Sequence, residues 1–217
     1  MMYTSERDYH STKLIKRGEK ELDSSFSKFA DWVLEEFGWR PINIIYDKID
    51  PNDRPKLSLI FELQGQASVF HDGSGYDEKK RKAVVDKFKT FANENSGVSD
   101  NSDIWVIFQE FEPAEQAACN EGIPKEEVEA FKVKYADQSL WEISRFGAYT
   151  TFFFLTKEQM LQSKDSGLQS EIRAEYLKLL KPYDEFNYFN LENLPIVFDN
   201  KENFDEHYQG SWHQFYK

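Results

Sequence analysis

Two glutamates at the end of an apolar run, Glu110 and Glu112 in the stretch DIWVIFQEFE, carry the most direct chemical potential in this chain. Residues two apart on an extended strand share a face, and two carboxylates at short range can divide into an acid and a base. A chain with 39 acidic residues also produces such pairs by composition alone. The same residues have a collective reading. Glu110, Glu112, Glu115, Glu121, Glu126, Glu127 and Glu129 fall within twenty positions that hold one basic residue, Lys125. Presented together they form an acidic surface, and with Trp141 or Trp212 nearby such a face suits contact with a cationic protein. The expected binding residues are therefore Glu110, Glu112, Glu115, Glu126, Glu127, Glu129, Trp141 and Trp212.

Other constellations fall short of their chemistry. The loop His71-Asp72-Gly73-Ser74-Gly75-Tyr76-Asp77, followed by Lys79, Lys80, Arg81 and Lys82, has the glycines of a phosphate cradle at a helix start. Its spacing matches neither a P-loop nor GxGxxG, and Asp72, Asp77 and Glu78 already place negative charge there. Read as a calcium loop from Asp72, its third, fifth and twelfth positions are Ser74, Tyr76 and Ala83. An EF-hand needs oxygen ligands at alternate positions and a glutamate at the twelfth. His207 and His213 stand near Asp205 and Glu206, but on one helix they would face different ways, and neither HExxH nor supporting cysteines occur. Cys119 has Glu115 and Glu121 as its charged neighbours, which raise a thiol pKa instead of lowering it. No GxSxG elbow is present for a serine nucleophile. No metal and no cofactor are expected.

These side chains have to be positioned by elements that the hydropathy pattern outlines. Phe26, Phe29, Ala30, Val33, Leu34 and Phe37 recur at three- and four-residue steps, with Asp23 or Ser24 as cap and Gly38 as terminator. Ile42, Ile44 and Tyr46, then Leu57, Leu59, Phe61 and Leu63, alternate around the turn-forming DPNDRP and predict a hairpin. Ala67 to Phe70 reads as a third strand, and 77–95 as a helix closed by a loop to Asp103. Asp103 to Phe111 is the expected central strand, with Leu140–Leu155 paired beside it. Helices follow over 114–120 and 125–135. Gly147 divides Leu140–Phe146 from Ala148–Leu155 as a tight turn or a bend. Thr156 caps a helix through Gln162, another spans 168–180, and Ile196 to Phe198 form a last strand. The terminal Trp212, Phe215 and Tyr216 are expected to fold back onto the body.

The class is α+β: one domain over 1–217, a mainly antiparallel sheet with amphipathic helices packed on it, and 1–22 as a peripheral helix or arm. The chain has 217 residues, 40% of them hydrophobic and 16% aromatic, enough for a sizeable core. The net charge of −12 lies mostly in the second half, where residues 101–217 hold 21 acids against 11 bases. That field repels nucleic-acid backbones and anionic membranes. The longest apolar candidate, Phe146 to Leu155, is too short and too interrupted to span a bilayer. The N-terminus lacks the apolar core of a secretory signal, and with a single cysteine no intrachain disulfide can form, so a cytoplasmic location is expected. The functional expectation is a non-catalytic acidic binding protein, of the inhibitor or immunity type, that neutralises a basic protein partner. The alternative is a hydrolase with carboxylate or metal chemistry in a cleft at the sheet edge, which requires carboxylates and a distant histidine to converge.

Overall fold

The computed structural model describes residues 2–3, 6–49, 54–96 and 103–217. By its internal contacts the chain divides into two compact units, Met1–Ala114 and Glu115–Lys217. The fold is α+β, and antiparallel pairing dominates its sheets.

The first unit contains α1 (Arg7–Lys16), α2 (Ser27–Phe37), β1 (Asn43–Ile49), β2 (Arg54–Phe61), a two-residue ribbon of β3 (His71–Asp72) and β4 (Gly75–Tyr76), α3 (Glu78–Ser96) and β5 (Trp105–Glu110). The sheet order is β1-β2-β5, with β1 antiparallel and β5 parallel to β2. Period-2 alternation puts Leu57, Leu59 and Phe61 on one face with Val106 and Phe108. Onto that face α2 lays Phe29, Ala30 and Val33, and α3 lays Val84, Phe88 and Phe91. Gly38 ends α2 at φ +84°, with its N–H on the Leu34 carbonyl. The expected arm is α1, which lies along β1. Its buried Asp8 accepts hydrogen bonds from Ser58 Oγ and Lys56 Nζ, both at 3.2 Å. The opposite face of this sheet is therefore closed by polar contacts.

Two expectations change here. Residues 67–70 form a 3-10 turn, Gln66–Phe70, because Gly65 enters it at φ +88° and the Glu110 carboxylate accepts the Ala67 N–H at 2.8 Å. The strand β5 is an edge strand that pairs with β2, not with the Leu140–Leu155 run. A parallel neighbour needs a long crossover, and α3 provides it. The Leu140–Leu155 run instead closes on itself through a much shorter loop. The turn expected at 50–53 and the loop at 97–102 lie outside the described residues.

The second unit begins inside α4 (Phe111–Gly122) and continues with α5 (Lys125–Lys134), β6 (Leu140–Phe146), β7 (Tyr149–Phe154), α6 (Lys157–Asp165), α7 (Leu168–Leu180), β8 (Ile196–Asn200), α8 (Lys201–Tyr208) and α9 (Trp212–Phe215). Thr156 and Gln159 form the capping box of α6. Gly147, at φ +56°, opens a two-residue turn that pairs Phe146 with Tyr149, so the glycine marks a hairpin and not a bent strand. The sheet order is β6-β7-β8, again an antiparallel hairpin whose second strand takes a parallel third partner. The two units thus share one topology, helix, hairpin, helical crossover, parallel strand and helix, although no repeat is visible in their residues.

A buried carboxamide ties the second unit together. The Oδ1 of Asn120 accepts hydrogen bonds from Tyr176 OH at 2.8 Å and Thr150 Oγ1 at 3.1 Å. Its Nδ2 donates to the carbonyls of Gly147 at 2.9 Å and Tyr149 at 3.2 Å. Asn120 and Tyr176 are fully buried, and burial pushes the Tyr176 hydroxyl pKa upward. Replacing Asn120 by Ala takes the donor from two carbonyls and leaves the Thr150 and Tyr176 hydroxyls only their mutual contact at 3.2 Å, and is expected to cost about 3 kcal/mol in urea unfolding. The Tyr176 phenol is held neutral in the fold, so its contribution is intact below the ordinary 10.0 and is lost as pH rises through that value towards the raised folded pKa. Melting temperatures measured across the alkaline range should fall less steeply for Tyr176→Phe than for the parent chain.

Candidate functional site

The face of the second sheet turned away from Phe152 and Phe154 carries Glu142, Ser144 and Phe146 on β6, Tyr149, Thr151 and Phe153 on β7, and Val197 and Asp199 on β8. The chain covers part of it from its own C-terminus. The Asn200 side chain caps α8 by accepting the Asn203 N–H at 2.9 Å, and Gln209 and Gly210, at φ +53° and +65°, then reverse the chain into α9. Phe153 sits edge-on to Trp212 and Phe215, while Trp212 packs 4.2 Å from Phe204. Trp141, at the β6 irregularity, lies nearly parallel to Trp212 with centroids 6.5 Å apart. Tyr216 stacks on Phe146 and shares a 2.5 Å hydrogen bond with Ser144. Burial raises the pKa of this phenol.

Between α9, β6 and the end of α4 a hollow of about 430 Å³ remains open, lined by Glu121, Glu142, Ile143, Ser144, Arg145, Trp212 and Tyr216. Arg145 spends its guanidinium on the last turn of α4, donating to the carbonyls of Asn120 and Ile123. There its charge opposes the negative end of the helix dipole. Lys132 on α5 pairs with Glu129 at 2.8 Å and Glu142 at 3.4 Å. The hydrogen bond to Glu129 is the main cause that holds its pKa above the ordinary lysine value. Lys201 places its ammonium 5.2 Å from the centre of the Trp141 ring. The aromatic cluster therefore already holds one cation of the chain itself.

The expected binding residues take separate positions. Glu126, Glu127 and Glu129 are exposed on α5, and Glu127 accepts a hydrogen bond from Tyr183 OH at 2.8 Å. Trp141 and Trp212 come together as described, with Trp212 38% exposed. Glu110 and Glu112 do not share a strand face, because β5 ends at Glu110 and α4 begins at the next residue. Both hold one loop, Glu110 through the Ala67 N–H and Glu112 through the Gln64 N–H, each at 2.8 Å. Glu115 is 1% exposed and accepts the Cys119 thiol at 3.8 Å. Glu115 is thus buried, while Glu110 and Glu112 hold the loop and remain half-exposed. The charge balance shifts accordingly: Met1–Ala114 holds 21 acids and 16 bases, Glu115–Lys217 18 and 11, so the units carry −5 and −7.

The residues that sequence reasoning passed over are Glu142, Ser144, Arg145 and Tyr216. Alternation along β6 was the available signal, since it places Glu142, Ser144 and Phe146 on one face. His207 and His213 are both exposed. Among the described residues no three His, Cys, Asp or Glu side chains gather as a metal cage would require, and no helix is long and apolar enough to cross a membrane. Of the basic run, Lys80, Arg81 and Lys82 pair with Asp77, Glu78 and Asp86 along α3. The hollow beside α1 and β1 mixes Arg7, His10 and Lys20 with Glu21 and Asp23, so it has no clear preference for either sign of charge. Comparison with protein-family models, curated proteins and solved structures finds no match to this chain.

Ser144 and Tyr216 anchor the C-terminal cover through one hydroxyl contact, so Tyr216→Phe is expected to lower stability by about 1 kcal/mol. Limited proteolysis should then cut at Gln209–Ser211 faster than in the parent chain; an unchanged cutting rate would mean that the ring stack alone retains the cover.

Proposed function

We propose that this chain is a non-catalytic binding protein whose second unit offers carboxylates and aromatic rings to a basic protein partner, in the manner of an inhibitor. One observation carries the reading. Glu129 on the exposed side of α5 is linked through Lys132 to Glu142, which lines the hollow walled by Trp212 and Tyr216. Carboxylates beside a partly exposed tryptophan supply both terms that a protein interface uses. The charges steer encounter with a cationic surface, and the ring gives apolar area at low entropic cost. The excess of acids over bases in this unit favours a basic partner over nucleic acid, whose phosphates it repels.

The test starts from tagged protein captured from its native host at low salt, with the retained proteins identified after elution at high salt. A stoichiometric basic protein is the expected result. The triple variant Glu126→Gln/Glu127→Gln/Glu129→Gln should weaken that complex about tenfold at low salt, chiefly through a slower association rate. Binding that is indifferent both to the triple variant and to salt would overturn the acidic-face reading.

A further inference from the structure

We propose that the hollow between β6, α9 and the end of α4 accepts the guanidinium of an arginine side chain, supplied by the basic partner; the inference rests on the preceding reading of the second unit. At about 430 Å³ the space is at the small end of the range for small-molecule sites, roughly 300–1,000 Å³. That suits one long side chain better than a folded segment. Its walls are of two kinds. Trp212 presents a partly exposed indole, and Tyr216 lies beside it with ring centroids 6.4 Å apart and planes 23° from parallel. Glu121 and Glu142 supply carboxylates.

The local charges favour a cation. Glu121, Glu129 and Glu142 face two basic groups, Lys132 and Arg145. The first is shared between two carboxylates, and the second is turned onto the carbonyls that end α4. Glu142 already accepts the Ile143 N–H at 2.8 Å and the Lys132 ammonium at 3.4 Å, so the exposed Glu121 is the wall carboxylate to which an incoming cation would direct its N–H groups. Arginine is selected over lysine by shape. A planar, weakly hydrated guanidinium can lie on an indole face and still direct paired N–H groups at a carboxylate, which a compact, strongly hydrated ammonium cannot do. Lys201 over Trp141 shows that this ring cluster accommodates a positive group at its edge.

The experiment uses the full chain, labelled with nitrogen-15, and titrates it with N-acetyl-L-arginine amide while following the tryptophan indole N–H signals. Trp212 is assigned by comparison with Trp212→Phe. A saturable shift of the Trp212 signal is expected, with N-acetyl-L-lysine amide weaker and N-acetyl-L-glutamine amide inert. Glu121→Gln, at its exposed position, should weaken the arginine compound about tenfold, and Glu35→Gln/Glu36→Gln on the exposed side of α2 should leave it unchanged. If Glu121→Gln loses the dispersion of a folded spectrum, Trp212→Phe, which removes the ring wall, replaces it, followed on the remaining indole signals. A non-saturating shift, or equal affinity in the carboxylate variant, overturns the pocket. The two readings fail separately. Capture of a basic protein that depends on α5, with no response from Trp212 to the arginine compound, removes the pocket and keeps the acidic face. A saturable response with no basic partner captured does the reverse.

Discussion

The second unit depends on one buried carboxamide. Asn120 is the last buried polar side chain of α4, and all of its hydrogen-bonding capacity is used: two hydroxyls from β7 and α7 on its oxygen, two carbonyls of the β6–β7 turn on its nitrogen. A group of this kind costs little when complete and much when one partner is missing, because none of its atoms can turn to water. It therefore fixes three elements at once. It also sets the hollow above it, since Arg145 docks on the carbonyls of Asn120 and Ile123 and the β6 face follows from where that turn is held.

The two units solve the same geometric problem and finish it differently. Each builds a hairpin, crosses over by helix and adds a parallel strand to the inner strand of the pair. Each is then left with a second sheet face to cover. In the first unit α1 does so with Asp8 on Ser58 and Lys56, contacts that leave few free polar groups. In the second, the cover is a short aromatic helix that reaches only part of the face, and Phe146, Tyr149 and Val197 remain 61%, 59% and 48% exposed. Incomplete covering is what leaves the hollow beside Trp212 open.

Charge density along a chain is a poor guide to charge density on a surface. Seven glutamates crowd the stretch from Glu110 to Glu129, yet Glu110 and Glu112 are occupied by backbone N–H groups and Glu115 is buried against Cys119. A carboxylate that accepts a backbone hydrogen bond in a loop positions that loop, and offers a smaller share of its acceptor capacity to the solvent side. Those on α5 are exposed, Glu127 accepting the Tyr183 hydroxyl and Glu129 pairing with Lys132.

Much of the architecture was legible from local pattern. The α2 stripe, the hairpin of β1 and β2, the Thr156–Gln159 cap, the strand at Ile196 and the return of the terminal aromatics all follow from periodicity, capping chemistry and the cost of exposing large rings. Sheet membership was not legible. The alternation in β5 is satisfied equally by β2 or by the Leu140–Leu155 run, and only the closure of each hairpin by a short turn, with a helix as the crossover, separates them. The hollow beside Trp212 was legible only in pieces. Its tryptophans were named from residue type, but Tyr216 meets the β6 residues Glu142 and Ser144 from far along the chain, 72 residues from Ser144. Residue types and spacing determine which elements form and which face each one buries, because those are set within a few residues by sterics and solvent. Which acids remain free, and which rings stand beside them, is decided by contacts between distant segments, whose energies no local pattern contains.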